Sequence, residues 1–380
     1  MSNSKKSVSF VIPCLNEYQT LPDVLTKIKK VCLAEFEGRR TEVIVCDNGS
    51  TDNSVEIARE HGAKVVHCAE KGYGAALLCG IENATGEAVV FADADNTYDF
   101  LETPLLVSEL EKGFDLVVGS RLEGNIYPGA MPMLHRHLGT PMLNFFINLL
   151  YARGANKITD CNSGFRCFKR DSFLSWGVKS KGMEFASEML VKALKSNARI
   201  SHVPVSLYPD SGKRTPHLAR WRDGMRHMLQ IFLDSPKFFF VTGLAVFCIS
   251  WVVLITGMCF GPITIGFASI FGLHSMMFGL LGSFFGIIIW AMGLFLAVKI
   301  ETDVKTYKYL INLPEGSLFW SSVILVLVSV ALFLAIVIYW VLQGFHFIAI
   351  EKETLVIVAF ASNGMLLVFD VVTAHLLKRF

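Results

Sequence analysis

The run Ala88-Val89-Val90-Phe91-Ala92-Asp93-Ala94-Asp95 decides the fold class and points to a site. Its first five residues are apolar, which is typical of a buried strand, and two carboxylates follow where that strand would end. On an extended backbone, side chains two residues apart point the same way, so Asp93 and Asp95 can reach one cation. Mg²⁺ and Mn²⁺ prefer such oxygen ligands and often share them with phosphate groups. We therefore predict a divalent metal site, although paired acids in a solvated turn would give the same pattern.

Strand-like and helix-like segments alternate around this run. Strands are predicted at residues 8–12, 42–46, 64–67, 88–92 and 116–119. This alternation is typical of an α/β domain with a mostly parallel sheet and helices on both faces. In such sheets nucleotides bind at the carboxyl ends of the strands. The residues at or just beyond those ends are Pro13, Asn16, Glu17, Asp47, Lys71, Asp93 and Asp95.

Two of these positions have alternative interpretations. Lys71-Gly72-Tyr73-Gly74 opens a predicted helix and can offer a phosphate group both a cation and a helix N-terminus. The same four residues also fit a tight turn. Asp47 can likewise contact a ligand or simply form the turn that follows its strand.

The second half of the chain has the composition of a membrane domain. Residues 238–298 contain no Lys, Arg, Asp or Glu. Four apolar stretches reach the roughly 20 residues needed to cross hydrocarbon. They cover about residues 238–260, 272–298, 318–342 and 354–376. We therefore predict a globular domain over residues 1–235 and a membrane domain of four helices over residues 236–380, which also accounts for the hydrophobic share of 52%.

The distribution of basic residues predicts the orientation. Lys and Arg are concentrated before the first apolar stretch, between the second and third, and at the C-terminus. By the positive-inside rule, the globular domain and the C-terminus are cytoplasmic, at the plasma (inner) membrane. Residues 1–9 lack the apolar core of a signal peptide.

Two segments are candidates for the membrane surface. Residues 215–232 place Arg220, Arg222 and Arg226 among apolar residues, a basic amphipathic pattern that suits an anionic interface. Residues 142–151 are apolar but too short to span, and they predict either a second interfacial helix or a core helix.

Charge and cysteine content narrow the possible partners. The nine cysteines are scattered singly without zinc-site spacing, which is typical of a reducing compartment. The net charge of +2 is close to neutral, and the chain has no nucleic-acid motif. Lipid head groups and phosphates are therefore the expected partners, and the oligomeric state stays open, a homo-oligomer included.

Five motifs, in this order, resemble glycosyltransferase family 2. They are Pro13-Cys14-Leu15-Asn16-Glu17, Val45-Cys46-Asp47-Asn48-Gly49-Ser50-Thr51-Asp52, Asp93-Ala94-Asp95, Gly119-Ser120-Arg121 and Asp160-Cys161-Asn162-Ser163-Gly164-Phe165-Arg166. Together with the C-terminal helices, they are similar to the polyprenyl-phosphate glycosyltransferases, a group that includes dolichyl-phosphate mannose synthase and bacterial undecaprenyl-phosphate glucosyltransferases.

The resemblance implies a GT-A nucleotide-sugar fold with a divided site. Asp47 and residues 13–17 would contact the base and ribose of a UDP- or GDP-sugar. Asp93, Ala94 and Asp95 would contact the diphosphate, with the two carboxylates on Mg²⁺ or Mn²⁺. Arg121 would meet the phosphate of the lipid acceptor.

The resemblance implies further positions at the acceptor and at the diphosphate. Arg136 and Thr140 would also bind the acceptor phosphate, with a solvated charge as the alternative for Arg136. Relatives carry a loop that closes over the diphosphate, and Lys213 and Arg214 would supply its cations here. Many relatives also carry Gln two residues after the second metal aspartate, where this chain has Thr97, so a third protein ligand to the metal stays open.

The chemistry needs few other groups. A sugar nucleotide has a good leaving group, and a lipid phosphate is already ionised at neutral pH, so neither a covalent residue nor a strong base is required. Asp160 is expected to orient the acceptor or to act as a weak base. Glu184 or Glu188 is expected to contact sugar hydroxyls, with a surface acid as the alternative for Glu188.

These observations predict an inverting transferase that moves a hexose, glucose or mannose, from a UDP- or GDP-sugar to polyprenyl phosphate. One alternative is a processive polysaccharide synthase, which typically carries Gln-x-x-Arg-Trp where this chain has His217-Leu218-Ala219-Arg220-Trp221. Another is a membrane scaffold or flippase-like protein with a degenerate domain, against which the intact Asp-x-Asp argues.

Overall fold

The chain divides into two compact units. The structure, a computed structural model, describes residues 6–154, 156–210, 220–265, 268–300, 305, 308–309, 312, 314–344 and 351–379. The first unit is Met1–Ile231 and the second is Phe232–Phe380. The predicted domains, 1–235 and 236–380, were drawn from composition, whereas this division follows from packing.

The first unit is built on one seven-stranded sheet. Its strands are β1 Val8–Cys14, β2 Thr41–Asp47, β3 Lys64–His67, β4 Ala88–Phe91, β5 Leu116–Ser120, β6 Arg166–Lys169 and β7 Ile200–Pro204. Their order across the sheet is β3-β2-β1-β4-β6-β5-β7. All neighbours are parallel except β6, which is antiparallel to β4 and to β5. The sheet is therefore mixed, and β6 and β7 were not predicted.

Helices cover both faces of the sheet, as predicted. They are α1 Leu21–Ala34, α2 Ser54–Glu60, α3 Tyr73–Glu82, α4 Thr103–Glu111, α5 Thr140–Tyr151, α6 Arg170–Trp176, α7 Phe185–Lys195 and α8 Arg220–Leu233. Successive residues of β4 point to opposite faces, so Val89 and Phe91 join one core while Val90 joins the other. Because both faces of β4 are buried, it is apolar throughout and its polar residues come only after it ends.

The register of the parallel strands brings the predicted site residues to one edge. Cys14 of β1 pairs with Asp47 of β2, and Asp47 pairs with His67 of β3. On the other side of β1, Val11 pairs with Phe91 of β4. Residues 13–17, Asp47 and the Asp93–Asp95 segment therefore leave the sheet at the same edge, where parallel sheets bind ligands.

The second unit is helical. Its long helices are α9 Pro236–Phe260, α10 Leu273–Lys299, α11 Glu315–Leu342 and α12 Glu351–Arg379, and a short hairpin, β8 Ile263–Ile265 and β9 Ala268–Ile270, lies between α9 and α10. In the described part of the chain, three helices are long and apolar enough to span a membrane: Pro236–Phe260, Leu273–Lys299 and Lys352–Lys378. The predicted span 318–342 falls in α11, whose fully described apolar segment, Val330–Leu342, is shorter than a span.

A polar contact joins two of these helices. The Asn363 side-chain amide of α12 donates to Ser283 Oγ of α10 over 2.9 Å, and both residues are buried. Pairing in this way satisfies polar groups that would otherwise be costly in an apolar environment. Asp370 of α12 is also buried, as expected for a residue that faces neighbouring helices rather than lipid.

Candidate active site

Two loops at the carboxyl edge are tied together through Asn16. Its side-chain oxygen accepts a hydrogen bond from Thr51 N over 2.8 Å, and its own N–H donates to Ser50 Oγ over 3.1 Å. Glu17 N donates to Ser54 Oγ over 2.8 Å. Asn16 has a φ of 59°, a conformation that Asn tolerates better than most residues. The structure thus brings residues 13–17 and the loop after Asp47 into one wall.

Asp47 lies buried at the base of this wall. Its Oδ1 accepts from Ser50 N over 2.8 Å, and its Oδ2 lies 3.0 Å from His67 Nδ1. Burial works against the charged form, but the hydrogen bonds from Ser50 and His67 outweigh it and lower the pKa of Asp47. Asp47 therefore shapes its own turn and stays ionised at the site. His67 was not among the predicted residues. It lies beside Asp47 because β3 pairs with β2, which no local pattern in the sequence indicates.

Lys71 reaches back over the same wall. Its Nζ donates to Asn48 O over 2.6 Å, and Gly72 N donates to the Asn48 side-chain oxygen over 2.8 Å. Lys71 is exposed as a residue, but its ammonium group lies against the backbone of Asn48 and Gly49, which places positive charge beside the loop after Asp47.

The glycines beside Lys71 serve close packing. A Cβ at Gly72 would lie 2.1 Å from Lys181 O, and one at Gly74 would lie 2.3 Å from Ser180 O. Gly72 also has a φ of 136°, which favours glycine. Ala75 N, in the first turn of α3, donates to Lys181 O over 3.0 Å. Gly72 and Gly74 therefore allow close packing against the backbone of residues 180–182, and the phosphate-binding interpretation of this motif stays a prediction.

Asp93 and Asp95 follow β4 directly and are held by different donors. Tyr73 Oη donates to Asp93 Oδ1 over 2.8 Å. Thr97 donates to Asp95 Oδ1 from both its N–H, over 3.0 Å, and its hydroxyl, over 2.6 Å. Burial and the charge of Asp95 raise the pKa of Asp93 to about 7, and burial also raises the pKa of Asp95.

These carboxylates fit a divalent cation. The two carboxylates repel each other when both are ionised, and this repulsion contributes to the raised pKa of Asp93. A cation between them would remove the repulsion. Hard carboxylate oxygens are the ligands that Mg²⁺ and Mn²⁺ prefer. Within the described residues, no group of three or more His, Cys, Asp or Glu side chains is placed to hold a metal. Thr97, where relatives carry Gln, orients Asp95 through its hydroxyl.

Asp160 and Arg121 form a buried ion pair. Arg121 donates from Nε to Asp160 Oδ2 and from Nη2 to Oδ1, both over 2.8 Å, and its backbone N–H also reaches Oδ2 over 3.0 Å. Asp160 is fully buried, and the Arg121 side chain is 12% exposed. Because both carboxylate oxygens accept from Arg121, Asp160 orients the Arg121 guanidinium, and its roles toward the acceptor, as an orienting group or as a base, stay predictions.

Arg166, at the start of β6, is a buried cation that the sequence interpretation gave no role. It donates to three backbone carbonyls: Ser163 O over 3.0 Å, Cys161 O over 2.8 Å and Ala186 O over 2.8 Å. It therefore fixes the loop that carries Asp160 against the start of α7. The only signal in the sequence was its place at the end of the fifth motif.

Glu184, the N-cap of α7, and Glu188, in its first turn, have different surroundings. Glu188 is buried and accepts hydrogen bonds from Lys179 N over 3.0 Å and Ser180 N over 2.6 Å, and it pairs with Lys192. Its carboxylate is thus committed to the loop before α7, and the surface-acid alternative is wrong because the side chain is buried. Glu184 accepts from Gly182 N over 3.2 Å through Oε1, while its buried Oε2 has no hydrogen-bond partner among the residues that the structure describes.

The predicted acceptor residues are differently placed. Arg136 is exposed on a short π-helical turn, His135–Gly139, and Thr140 is buried at the start of α5. The Asn162 side-chain amide donates to Thr140 Oγ1 over 3.5 Å, which places Thr140 beside the Asp160 loop. Lys213 and Arg214 lie outside the described residues.

Sequence comparison places the chain in a family. The family model for glycosyl transferase family 2 matches residues 9–176. A low-salt glycan biosynthesis hexosyltransferase of Haloferax volcanii is 34% identical over 381 residues, which cover 97% of this chain and 88% of that protein. The chain belongs to glycosyltransferase family 2. The predicted enzyme class, a hexosyltransferase of family 2, is confirmed. The α/β domain and the helical region after it are as predicted, whereas three of the four predicted spans are found as candidate spans in the described residues.

Two further proteins are similar to this family 2 enzyme. A dolichyl-phosphate hexose transferase of Haloferax volcanii is 28% identical over 54% of this chain and 85% of its own length. Glucosyl-3-phosphoglycerate synthase from Mycobacterium tuberculosis, solved in complex with Mn²⁺, UDP and glucosyl-3-phosphoglycerate, is 22% identical over 60% of this chain and 80% of its own, with a TM-score of 0.48.

The ion pair generates a stability prediction. Asp160→Ala leaves the Arg121 guanidinium buried without its carboxylate, which should reduce the free energy of unfolding by about 3–5 kcal/mol. Thermal unfolding of the full chain in nanodiscs would measure the lower Tm. The control Lys112→Ala removes an exposed pair with Glu109 and should cost about 0–1 kcal/mol.

A double variant separates this explanation from a general loss of packing. Asp160→Ala combined with Arg121→Met removes both charges and should recover much of the lost Tm, because no uncompensated cation remains. A double variant as unstable as Asp160→Ala would contradict the prediction.

Proposed function

We propose that this enzyme transfers a hexose, glucose or mannose, from a UDP- or GDP-sugar to polyprenyl phosphate, with inversion at the anomeric carbon. The observation that carries the proposal is the paired carboxylates, Asp93 and Asp95, at the same sheet edge as the loops of Asn16 and Asp47. Both similar proteins from Haloferax volcanii are named for hexose transfer, and one of them is named for dolichyl phosphate, a polyprenyl phosphate.

The donor would bind along the carboxyl edge. Asp47 and residues 13–17 would contact the base and ribose, and Asp93, Ala94 and Asp95 would lie along the diphosphate, with Lys71 adding positive charge nearby. A bound Mg²⁺ or Mn²⁺ would stabilise the negative charge of the departing diphosphate. Lys213 and Arg214 are proposed to contribute from the loop that closes over it.

The acceptor would be held as a preformed anion. Arg121 suits this role because Asp160 fixes its guanidinium while Nη1 makes no contact with that carboxylate. Arg136 and Thr140 would add a second cation and a hydroxyl. A phosphate monoester is ionised at neutral pH, so the reaction needs no strong base, which agrees with the commitment of Asp160 to Arg121.

The surface of the first unit supports a lipid acceptor. On α5, Leu143 and Ile147 are buried, whereas Met142, Phe145 and Leu149 are exposed. The helix is therefore apolar on both faces: the core interpretation of residues 142–151 accounts for the buried face, and the interfacial interpretation stays a proposal for the exposed one. An exposed apolar face of this kind suits the membrane interface.

We further propose that α11 crosses the membrane with α9, α10 and α12, giving four spans. An even number of spans puts both ends of the chain on one side, and the positive-inside rule makes that side cytoplasmic. The basic face predicted for residues 215–232 would then lie at the anionic inner surface of the plasma membrane, the part from Arg220 onward being helical.

The test is a donor and acceptor panel with an active-site variant. Full-length enzyme in nanodiscs should transfer radiolabel from UDP- or GDP-glucose or mannose to undecaprenyl or dolichyl phosphate, as a lipid-soluble product. Asp95→Asn should reduce transfer about 100-fold or more, because it removes a metal-binding charge worth several kcal/mol. An amide keeps the oxygen that Thr97 bonds, so the variant should unfold at the Tm of the native enzyme.

EDTA should mimic Asp95→Asn, and added Mn²⁺ should restore the native enzyme but not the variant. The matched control is Asp171→Asn, since Asp171 is a 98% exposed acid on α6. Transfer that continues in excess EDTA would mean that the carboxylate pair is structural. Transfer to no lipid phosphate in the panel would overturn the proposed acceptor.

Arg136 gives a prediction specific to the acceptor. Arg136→Ala should raise the KM for polyprenyl phosphate about 10- to 100-fold, since a hydrogen bond to a charged group is worth about 1.5–3 kcal/mol. Nucleotide affinity, measured by calorimetry, should change less than about twofold. Arg153→Ala, which removes another cation from the first unit, is the control. Equal losses of nucleotide and lipid affinity would assign Arg136 to the donor site instead.

The product's stereochemistry tests the mechanism. The proposed site has two carboxylates for one metal ion and arginines for the acceptor phosphate. A single displacement by the phosphate oxygen inverts the anomeric centre. An α-linked donor such as UDP-glucose or GDP-mannose should therefore give a β-linked lipid phosphate sugar, which NMR would identify. An α-linked product, or a trapped glycosyl ester on Asp or Glu, would rule out the single displacement.

A further inference from the structure

Tyr73 is the donor that contacts the Asp93 carboxylate. Its hydroxyl lies 2.8 Å from Asp93 Oδ1. The two residues come from different elements: Tyr73 is the first residue of α3, and Asp93 follows β4. A tyrosine hydroxyl is protonated at neutral pH and a carboxylate oxygen can only accept, so Tyr73 is the donor in this hydrogen bond.

The opposite side of the same carboxylate is bounded by Gly164. A Cβ at this position would lie 2.6 Å from Asp93 Oδ2, closer than a side-chain carbon can approach. Gly164 is itself fixed, because its N–H donates to Tyr98 Oη over 2.8 Å. The Asp93 carboxylate is thus confined between a hydrogen-bond donor on one oxygen and backbone on the other.

The glycines around Tyr73 explain how it reaches this position. Gly72 and Gly74 let the start of α3 approach the backbone of residues 180–182 more closely than any other residue type allows. That approach is held by the hydrogen bond from Ala75 N to Lys181 O. The two glycines therefore allow the side chain between them, Tyr73, to contact Asp93.

We propose that Tyr73 is a positioning residue that orients the Asp93 carboxylate for the divalent cation. The inference rests on the proposed function, in that Asp93 and Asp95 bind the metal. Without the hydroxyl, Oδ1 of Asp93 would have no donor from Tyr73, and the carboxylate would be less ordered before the metal binds. The cation would then have to order the carboxylate on binding. Groups that orient metal ligands through hydrogen bonds typically change metal affinity by about 10- to 100-fold when they are removed.

The test measures metal affinity directly. Free Mn²⁺ would be titrated by electron paramagnetic resonance against full-length enzyme in nanodiscs, with saturating UDP and, separately, with saturating GDP. Tyr73→Phe should weaken the Mn²⁺ Kd about 10-fold or more. Its Tm should match that of Tyr151→Phe, a control that also loses one tyrosine hydroxyl bond, from Oη to Ile231 O, away from Asp93. Tyr151→Phe should leave the Mn²⁺ Kd within about twofold.

The outcomes separate the two proposals. If the native enzyme binds no Mn²⁺ with either nucleotide, the metal role of Asp93 and Asp95 fails, and the role of Tyr73 fails with it. If the native enzyme binds Mn²⁺ and Tyr73→Phe binds it equally well, only the role of Tyr73 is overturned. Should Tyr73→Phe be much less stable than Tyr151→Phe, Gly164→Ala provides the second test. It displaces the same carboxylate from the other side, and an unchanged Mn²⁺ Kd in this variant would overturn the proposal.

Discussion

Two negative charges at the end of a doubly buried strand are the constraint on which the site depends. Asp93 and Asp95 follow β4, whose side chains pack into cores on both faces of the sheet, so neither carboxylate can move far from the other. Burial and mutual repulsion raise the pKa of Asp93 to about 7. Such a pair is stable only with hydrogen bonds and positive charge around it. Tyr73 and Thr97 supply the hydrogen bonds, and the divalent cation that we propose would supply the positive charge.

Buried arginines organise the other side of the site. Arg121 is locked by both oxygens of Asp160, and Arg166 donates to three carbonyls that include Cys161 O and Ser163 O. The loop of residues 160–163 is therefore held by guanidinium groups at two points rather than by regular secondary structure. This rigidity suits phosphate recognition, because an arginine that is already oriented loses little freedom when it binds an anion.

Several residues that the sequence predicts as ligand contacts make contacts within the protein. Glu188 caps the loop before α7, and Gly72 and Gly74 allow backbone contact with residues 180–182. Polar and glycine residues have both uses, and only their neighbours distinguish them. Conversely, His67 and Tyr73 reach the site through strand pairing and helix packing, which leave no local pattern in the sequence.

The sequence by itself determined the α/β fold class, the sheet edge at which the candidate site residues lie, the candidate pair Asp93 and Asp95, and the apolar composition of the second half. These features are local: a strand reads as an apolar run, its end as a polar residue, and a membrane helix as a long stretch without charge. The antiparallel strand β6 and the edge strand β7 were not predicted, because their pairing joins residues far apart in the chain.

Only the tertiary structure decided which side chains meet. It joined Asp160 to Arg121, Tyr73 to Asp93 and Asn16 to the loop after Asp47, contacts that span 39, 20 and 35 residues. Such contacts depend on how strands register and helices pack, and many sequences satisfy the same hydrophobic pattern without them. The sequence therefore predicted which chemical groups lie at the sheet edge, and the packing determined which neighbouring side chains orient those groups.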